Sequence, residues 1–232
     1  LTLVDGDDYS EDNVFRHVLD PLWVDLPKVV GLKSELERRY PSLRVTRHIG
    51  WAQDWMRSAS FADVDAVVIA FGLPTLERSF GRALRKVKKQ LPVLFTWLEP
   101  LDLGGHSVVV WSVGEGCLDC MYRDDDGAPA LQPRTAFLDA NQAVSKNLTG
   151  CSSVFVPFGA LQARRTALQA VEHLLGAMTS PAVPSYRFWV GEGKAAKSEG
   201  LRTRPWWSEA PSVPFQEATR RVFGPPCKRC RA

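Results

Sequence analysis

Long apolar runs alternate with stretches of helical periodicity along the chain. Residues 64–71 and 91–97 are almost continuously apolar, which is typical of strands covered on both faces of a sheet. Apolar side chains recur at helical spacing over residues 27–40 and 161–175, which predicts two amphipathic helices, the second ending at Gly176. Further strands are predicted at residues 1–4, 43–49, 107–111 and 186–190, and a further helix at residues 74–90.

The order of these elements predicts an α/β fold. Strands that alternate with helices build a Rossmann-like, mainly parallel sheet with helices on both faces. The polar, acidic stretch over residues 121–150 predicts a flexible crossover loop. The first predicted strand needs a neighbour, so we expect further sequence upstream of Leu1. We therefore predict a single domain over residues 1–232 that is incomplete at its N-terminus.

Composition narrows the class of protein only slightly. With 45% hydrophobic and 24% charged residues, the 232-residue chain is typical of a globular protein and not of a disordered one. A net charge of +3 is too small to predict a nucleic-acid-binding surface. No apolar run reaches the roughly 20 residues of a membrane span, and the first residues do not resemble a signal peptide. We expect a cytoplasmic protein with neither a nucleic-acid nor a membrane partner.

Four of the five cysteines form two C-x-x-C pairs. Cys117 and Cys120 make the first pair, and Cys227 and Cys230 make the second. Two residues between cysteines let both thiolates reach one ion, and two such knuckles complete a tetrahedral zinc shell. The pattern therefore predicts a structural zinc that pins the C-terminal tail to the domain. Redox dithiols are one alternative, but neither pair begins an obvious helix that would lower a thiol pKa. Four unrelated free thiols are the other alternative.

The fifth cysteine, Cys151, stands alone in a small, polar stretch before the helix at residues 161–175. A thiol in such a stretch can act as a nucleophile, although no histidine is adjacent to serve as its base. A buried thiol that packs as a small hydrophobe is the alternative.

The acidic turn after the first predicted strand carries a second candidate site. Asp5 ends the strand, and a carboxylate at the carboxyl end of a strand in an α/β sheet can bind ribose hydroxyls. Arg16 and Lys28 follow as cations suited to phosphate groups. A solvated acidic turn with unrelated surface cations is the alternative interpretation.

These features together resemble the ThiF-like and ubiquitin-activating adenylyltransferase superfamily. Its members carry an Asp after a hydrophobic strand, then Asn-x-x-Arg, then Pro-Lys at a helix start. They also carry two C-x-x-C knuckles and a cysteine before a late helix. The matching residues are Leu3-Val4-Asp5, Asn13-Val14-Phe15-Arg16, Pro27-Lys28, the four paired cysteines and Cys151.

Two short motifs look most like the bacterial branch of that superfamily, namely Trp97-Leu98-Glu99-Pro100 and Gly104-Gly105-His106. Activating domains of this branch are often fused to, or encoded beside, ubiquitin-conjugating-like domains, including those of antiphage operons. A histidine such as His106 can also be a core residue beside a strand.

The resemblance implies a reaction and a set of site residues. Asp5 would bind the ATP ribose, while Asn13, Arg16 and Lys28 would hold the triphosphate. The C-terminal carboxylate of a ubiquitin-like protein would be adenylated, with Arg16 catalytic, and then transferred to Cys151 as a thioester. Zinc would be structural, and ATP with Mg²⁺ a substrate. The implied partners are a ubiquitin-like protein, a ubiquitin-conjugating-like protein or domain, and a second copy in a homodimer.

Two departures from the family pattern limit these expectations. The glycine-rich phosphate loop of the family would lie before Leu1, and the strand end at residues 70–74 has no carboxylate for magnesium. The magnesium ligand is therefore unassigned, with Asp7 or Glu99 as substitutes. The alternatives are a sulfur-carrier-protein adenylyltransferase and a non-catalytic scaffold that docks a ubiquitin-like or conjugating partner.

Overall fold

A computed structural model describes residues 1–124, 126–142, 144, 146–147, 154–155, 157–224, 227–228 and 230. The chain divides into two compact units, Leu1–Ser60 and Phe61–Ala232, which we call unit 1 and unit 2. Each unit is described by itself.

Unit 1 is built around a parallel pair of strands. Strand β1 (Thr2–Asp5) pairs with β2 (Thr46–Ile49), and helix α1 (Lys28–Arg39) connects them and packs against both. Short 3₁₀ turns at Glu11–Asn13 and Pro21–Trp23 precede α1, and helix α2 (Ala52–Ser58) follows β2. This strand–helix–strand arrangement matches the predicted parallel unit.

A buried tyrosine fixes the long connection between β1 and α1. Tyr9 is fully buried, and its hydroxyl donates a 2.9 Å hydrogen bond to the carbonyl of Leu19. The Tyr9 backbone N–H donates to the carbonyl of Leu26, while its own carbonyl accepts the N–H of Asp25. The connection is therefore an ordered segment anchored to unit 1.

Unit 2 contains a four-stranded sheet that is mixed and not mainly parallel. Its strands β3 (Val67–Ile69), β4 (Pro92–Glu99), β5 (Gly104–Trp111) and β8 (Ser185–Val190) lie in the order β3-β4-β5-β8. Only β3 and β4 are parallel. Residues 100–103 join β4 to β5 directly, and so short a connection permits an antiparallel hairpin but no crossover.

Helices cover both faces of this sheet, as predicted. Successive side chains of β4 point to opposite faces. Leu94 packs against Ala170 and Leu174 of helix α4 (Ala160–Met178). Phe95 faces helix α3 (Pro74–Leu84), where a Cβ on Gly81 would lie only 3.1 Å from the Phe95 ring. The core of unit 2 is therefore layered on both sides of β4 and β5.

The remaining elements of unit 2 are short. Helix α7 (Phe215–Phe223) packs against β8, and Thr219 accepts a 3.0 Å hydrogen bond from the Tyr186 N–H. Within the described residues, no helix is both long and apolar enough to cross a membrane. The other elements are the antiparallel pair β6 (Lys146–Asn147) and β7 (Val154–Phe155), helices α5 (Lys194–Ser198), α6 (Pro205–Glu209) and α7 (Phe215–Phe223), and 3₁₀ turns at Leu118–Met121 and Ala210–Ser212.

Candidate functional site

The four paired cysteines converge in unit 2. Cys117, Cys120, Cys227 and Cys230 are each at most 7% exposed, and their sulfurs lie within 4.8 Å of one another. The Sγ–Sγ distances are 3.7 Å for Cys117–Cys227, 3.4 Å for Cys120–Cys230 and 3.3 Å for Cys117–Cys230. Zn–S bonds of about 2.3 Å in a tetrahedron place sulfurs about 3.8 Å apart. The cluster therefore fits a single metal ion.

Both knuckles use the same local turn. The N–H of Cys120 donates to the carbonyl of Cys117, and the N–H of Cys230 donates to that of Cys227, each at 2.9 Å. The first knuckle follows Gly116, whose φ of +83° and close approach to Pro184 leave no room for a Cβ. The two turns present their sulfurs to a common point, which is the geometry that the C-x-x-C spacing predicts.

An ion-pair network ties the first knuckle to α3. Asp119 lies between the two cysteines of that knuckle and accepts 2.7 Å hydrogen bonds from both Arg78 and Arg82. Burial raises the pKa of Asp119, but the bonds from Arg82 and Arg78 lower it more. The hydrogen bonds with Asp119 raise the pKa of the Arg82 guanidinium, and the nearby Cys117 adds to this effect. These cations offset the negative charge that four thiolates would carry.

Cys117, Cys120 and Cys230 compete for protons when no metal is bound. Hydrogen bonds to Cys120 and Cys230 raise the pKa of the Cys117 thiol, and burial adds to this effect. Hydrogen bonds from Cys117 and Cys230 lower the pKa of Cys120. A bound cation removes this competition because it replaces the shared protons and favours all four thiolates.

In unit 1, the predicted carboxylate and lysine meet at one turn. Asp5 ends β1, and its Oδ1 accepts the N–H of Asp7 at 2.8 Å. Lys28 begins α1, where its N–H donates to the Asp7 carbonyl at 3.0 Å and its Nζ pairs with Asp7 Oδ2 at 2.9 Å. Asp7, named above as a substitute magnesium ligand, is thus paired with Lys28.

Asn13 shapes the connection that carries Arg16. Its Oδ1 accepts the N–H of Ser10 at 3.2 Å, and its carbonyl accepts the N–H groups of Arg16 and His17 at 3.0 and 2.8 Å. The Arg16 guanidinium is half-buried, so its pKa is lowered by burial while the charge of Asp12 raises it. Asn13 therefore holds the turn, and Arg16 supplies the positive charge.

His17 is the residue that sequence reasoning missed. Burial lowers its pKa, the charges of Lys28 and Arg16 lower it further, and the charge of Asp5 raises it. The predicted residues Asp5, Arg16 and Lys28 therefore all lie within electrostatic reach of this one imidazole. The sequence signal that could have found His17 is its position directly after Arg16. A carboxylate and two cations near one histidine can bind a phosphorylated ligand.

Glu99, the second substitute magnesium ligand, is enclosed within unit 2, and so is Glu77. Glu99 Oε1 contacts His106 Nε2 at 3.2 Å and accepts the N–H of Phe137 at 3.1 Å, while His106 Nδ1 contacts the Tyr186 hydroxyl at 2.7 Å. His106 is fully buried and is therefore a core histidine. Near the end of β3, Glu77 reaches back to accept the N–H of Gly72 at 3.0 Å. Cys151 lies outside the described residues.

Comparisons with known proteins find similar folds but no similar sequences. No family model matches the chain, and no curated protein matches it. Crystal structures of E. coli MccB with MccA and with ATP align over 100% of the chain, at TM-scores of 0.58 and 0.53 and identities of 12% and 13%. A crystal structure of PaaA aligns over 88% of the chain, at a TM-score of 0.52 and 18% identity.

These neighbours are longer than the chain. The alignments span 59% of the two MccB chains and 55% of the PaaA chain. At such identities the likeness concerns the fold: the chain has a mixed α/β architecture similar to part of these proteins.

Proposed function

We propose that the chain acts in ATP-dependent adenylation of a carboxylate. Two independent features support this: the turn at which Asp5 and Lys28 both contact Asp7, with Arg16 on the connection that follows, and the fold likeness to MccB, which has been crystallised with ATP. The first feature carries the proposal, because it is a property of this chain's own residues.

In the proposed reaction, unit 1 binds the nucleotide. The Asp5 carboxylate accepts a hydrogen bond from a ribose hydroxyl, and Lys28 and Arg16 bind phosphate oxygens. The substrate carboxylate attacks the α-phosphorus, a C–O–P bond forms, the bond from the α-phosphorus to the bridging oxygen breaks, and pyrophosphate leaves. Arg16 stabilises the negative charge that develops on the α-phosphate oxygens. Mg²⁺ enters with ATP as part of the substrate.

We propose the C-terminal carboxylate of a ubiquitin-like protein as the substrate, on the strength of the family resemblance. The Cys151 thiolate would then attack the acyl carbon, form a thioester and release AMP. A conjugating protein or domain would accept the acyl group. MccB has been crystallised with MccA, so a peptide carboxylate is the second substrate to test.

Zinc is the metal that we propose for the cysteine cluster. Four sulfur ligands close the coordination shell and leave no position for substrate or water, which is typical of structural zinc. The ion would join the turn after β5 to the segment after α7 and take no part in the reaction.

Pyrophosphate exchange tests the proposal directly. The chain, incubated with ATP, labelled pyrophosphate and a ubiquitin-like protein, should form labelled ATP. Arg16→Ala should reduce the exchange rate at least about 100-fold, because a preorganised charge at the transition state is lost. Arg57→Ala is the matched control, since Arg57 also belongs to unit 1 but is 80% exposed and paired only with Asp54 in the described chain.

Further arms of the same assay test the proposed substrate and the role of the Cys151 thiol separately. Exchange with a short peptide carboxylate but not with the ubiquitin-like protein would replace the proposed substrate, and exchange with a sulfur-carrier protein would favour that alternative. A hydroxylamine-sensitive adduct should disappear in Cys151→Ala. If Arg16→Ala leaves the exchange rate unchanged, or if the unaltered chain shows no exchange, the adenylation role is refuted and a scaffold is favoured.

A further inference from the structure

A cavity of about 240 Å³ lies in unit 2, beside the first cysteine knuckle. Helix α3, the residues that follow it, strands β4 and β5 and the knuckle itself form its walls. Pockets for drug-sized ligands span about 300–1,000 Å³, so this cavity suits a smaller molecule. Its apolar lining comes from Leu84, Val93, Val110, Trp111 and Leu118.

The α3 side of the cavity carries four cations, of which two are already paired. Asp119 accepts hydrogen bonds from Arg78 and Arg82, and these two cations also offset the charge of the cysteine cluster. Arg85 and Lys86 line the cavity as well, but neither makes an ion pair within the part of the chain that the structure describes. Two positive charges at this wall are therefore left for a ligand.

Arg85 also brings an unpartnered donor to the cavity. Its Nη2 donates a 2.9 Å hydrogen bond to the Gly114 carbonyl, whereas its Nη1 is buried and has no hydrogen-bond partner among the described residues. A buried charged donor without an acceptor is unfavourable, so such an atom commonly marks a bound ion or water. A water molecule would accept the hydrogen bond but leave both positive charges unbalanced. An anion would satisfy the donor and balance the charges together.

We propose that this cavity binds a small phosphate monoester, with the phosphate on Arg85 and Lys86 and the organic part against the apolar walls. A phosphate monoester carries close to two negative charges at pH 7, which matches the two unpaired cations, whereas a carboxylate carries one. Guanidinium and ammonium groups form short, charge-assisted hydrogen bonds with phosphate oxygens. The cavity belongs to unit 2 and the residues proposed for adenylation belong to unit 1, so the two proposals can fail separately.

Isothermal titration calorimetry of the full chain with phenyl phosphate tests the site. The dissociation constant should be about 1 mM or lower, which modest contacts give a ligand of this size. Inorganic phosphate lacks the apolar part and phenol lacks the charge, so each should bind at least about tenfold more weakly. Phenol that binds as tightly as phenyl phosphate would overturn the proposal. Benzoate that does so would contradict the match between a doubly charged ligand and two cations, and with it the proposal.

Two substitutions assign the binding to this cavity. Arg85→Gln and Lys86→Gln each remove one cation and should weaken phenyl phosphate binding at least about tenfold. Lys88→Gln is the matched control, because Lys88 belongs to the same basic segment but is exposed and does not line the cavity. Lys86 is exposed, so Lys86→Gln remains informative if the lost bond to Gly114 destabilises the Arg85 variant.

Arg16→Ala separates this cavity from the phosphate site proposed in unit 1. It should bind phenyl phosphate with unchanged affinity, because Arg16 does not line the cavity. Binding that is lost in Arg16→Ala and kept in Lys86→Gln would overturn the proposal. So would the absence of binding in the unaltered chain, and the two cations would then serve only the carbonyl end of α3.

Discussion

The two candidate sites differ most in their access to water. The cysteines of unit 2 are at most 7% exposed, and the ligand atoms face one another. In unit 1, Asp5 and Arg16 are partly exposed, and Lys28 keeps 16% of its side chain in solvent. A closed set of ligands suits a group that holds the fold together, whereas an open set can receive and release a ligand. Changes at the cysteine cluster should therefore act on stability, and changes at Asp5, Arg16 and Lys28 on activity.

The largest effect is expected from the cysteine cluster. Cys227→Ser removes one ligand and should abolish stoichiometric metal binding, which costs more than about 5 kcal/mol of unfolding free energy, since structural zinc contributes about 10 kcal/mol or more in small domains. Metal content by mass spectrometry and urea unfolding of unit 2 measure both effects.

Cys151→Ser is the control for that experiment, because Cys151 belongs to neither knuckle. It should retain the full metal content and the unfolding midpoint. If a strong chelator leaves the stability of the chain unchanged, the cysteine cluster is not a structural metal site. The contrast with the open site of unit 1 would then be wrong.

The next largest effect concerns two buried titratable groups of unit 2. Burial raises the pKa of Glu77 to about 7 despite hydrogen bonds from the N–H groups of Gly72 and Phe71. Its contribution to stability is full below pH 4.5 and is lost as the pH rises through 7. Burial, followed by the charge of Arg187, lowers the pKa of His173 to about 4. Its contribution is present above pH 6.5 and is lost as the pH falls through 4.

These two contributions oppose each other, and variants should separate them. Each shift corresponds to about 3 kcal/mol. Glu77→Gln should make unfolding free energy rise with pH between 4 and 6.5, whereas His173→Gln should make it fall between 4.5 and 7. Urea unfolding across this pH range measures both slopes. Glu115→Gln, a change at an exposed site, should follow the unaltered chain. Parallel profiles for all variants would contradict the assignment.

The smallest stability effect is expected in unit 1. Lys28→Ala removes the pair with Asp7, whose carboxylate is 55% exposed, and should cost less than about 1 kcal/mol. Pyrophosphate exchange should nevertheless fall sharply. Urea unfolding and exchange, measured on one preparation, separate the two effects. Lys33→Ala is the control, since Lys33 pairs with Glu37 on the same helix. A large loss of stability in Lys28→Ala would mean that this turn is structural.

The local hydrophobic pattern predicted which helices form more accurately than it predicted the residues at which they end. Helix α4 was predicted to stop at Gly176 but continues to Met178, because the Thr179 and Ser180 hydroxyls bond the last carbonyls, including that of Gly176. Helix α3 was predicted to reach residue 90 but ends at Leu84, where the chain tightens into turns with i to i+3 hydrogen bonds. Such terminal contacts depend on side chains and carbonyls that periodicity does not represent.

Longer-range features were only partly predictable. The C-x-x-C spacing predicted which four sulfurs meet, because the chemistry of the shell dictates the set. The direction of β5 was not predicted, since an apolar run has the same pattern in parallel and antiparallel strands. The sequence analysis also missed Glu77 and His17. Each reaches its neighbours through a turn, and neither forms a motif by itself.

The separation of the two knuckles has a consequence for chain entropy. Cys117 and Cys227 are 110 positions apart, so a metal ion held by both would close a very long loop in the unfolded chain. By analogy with a disulfide, the conformational entropy that the unfolded chain loses when such a loop closes corresponds to about 5 kcal/mol. In a chain that unfolds when the metal is removed, metal affinity would report on folding itself, and a core substitution far from the sulfurs would weaken metal binding by the same free energy that it removes from the fold.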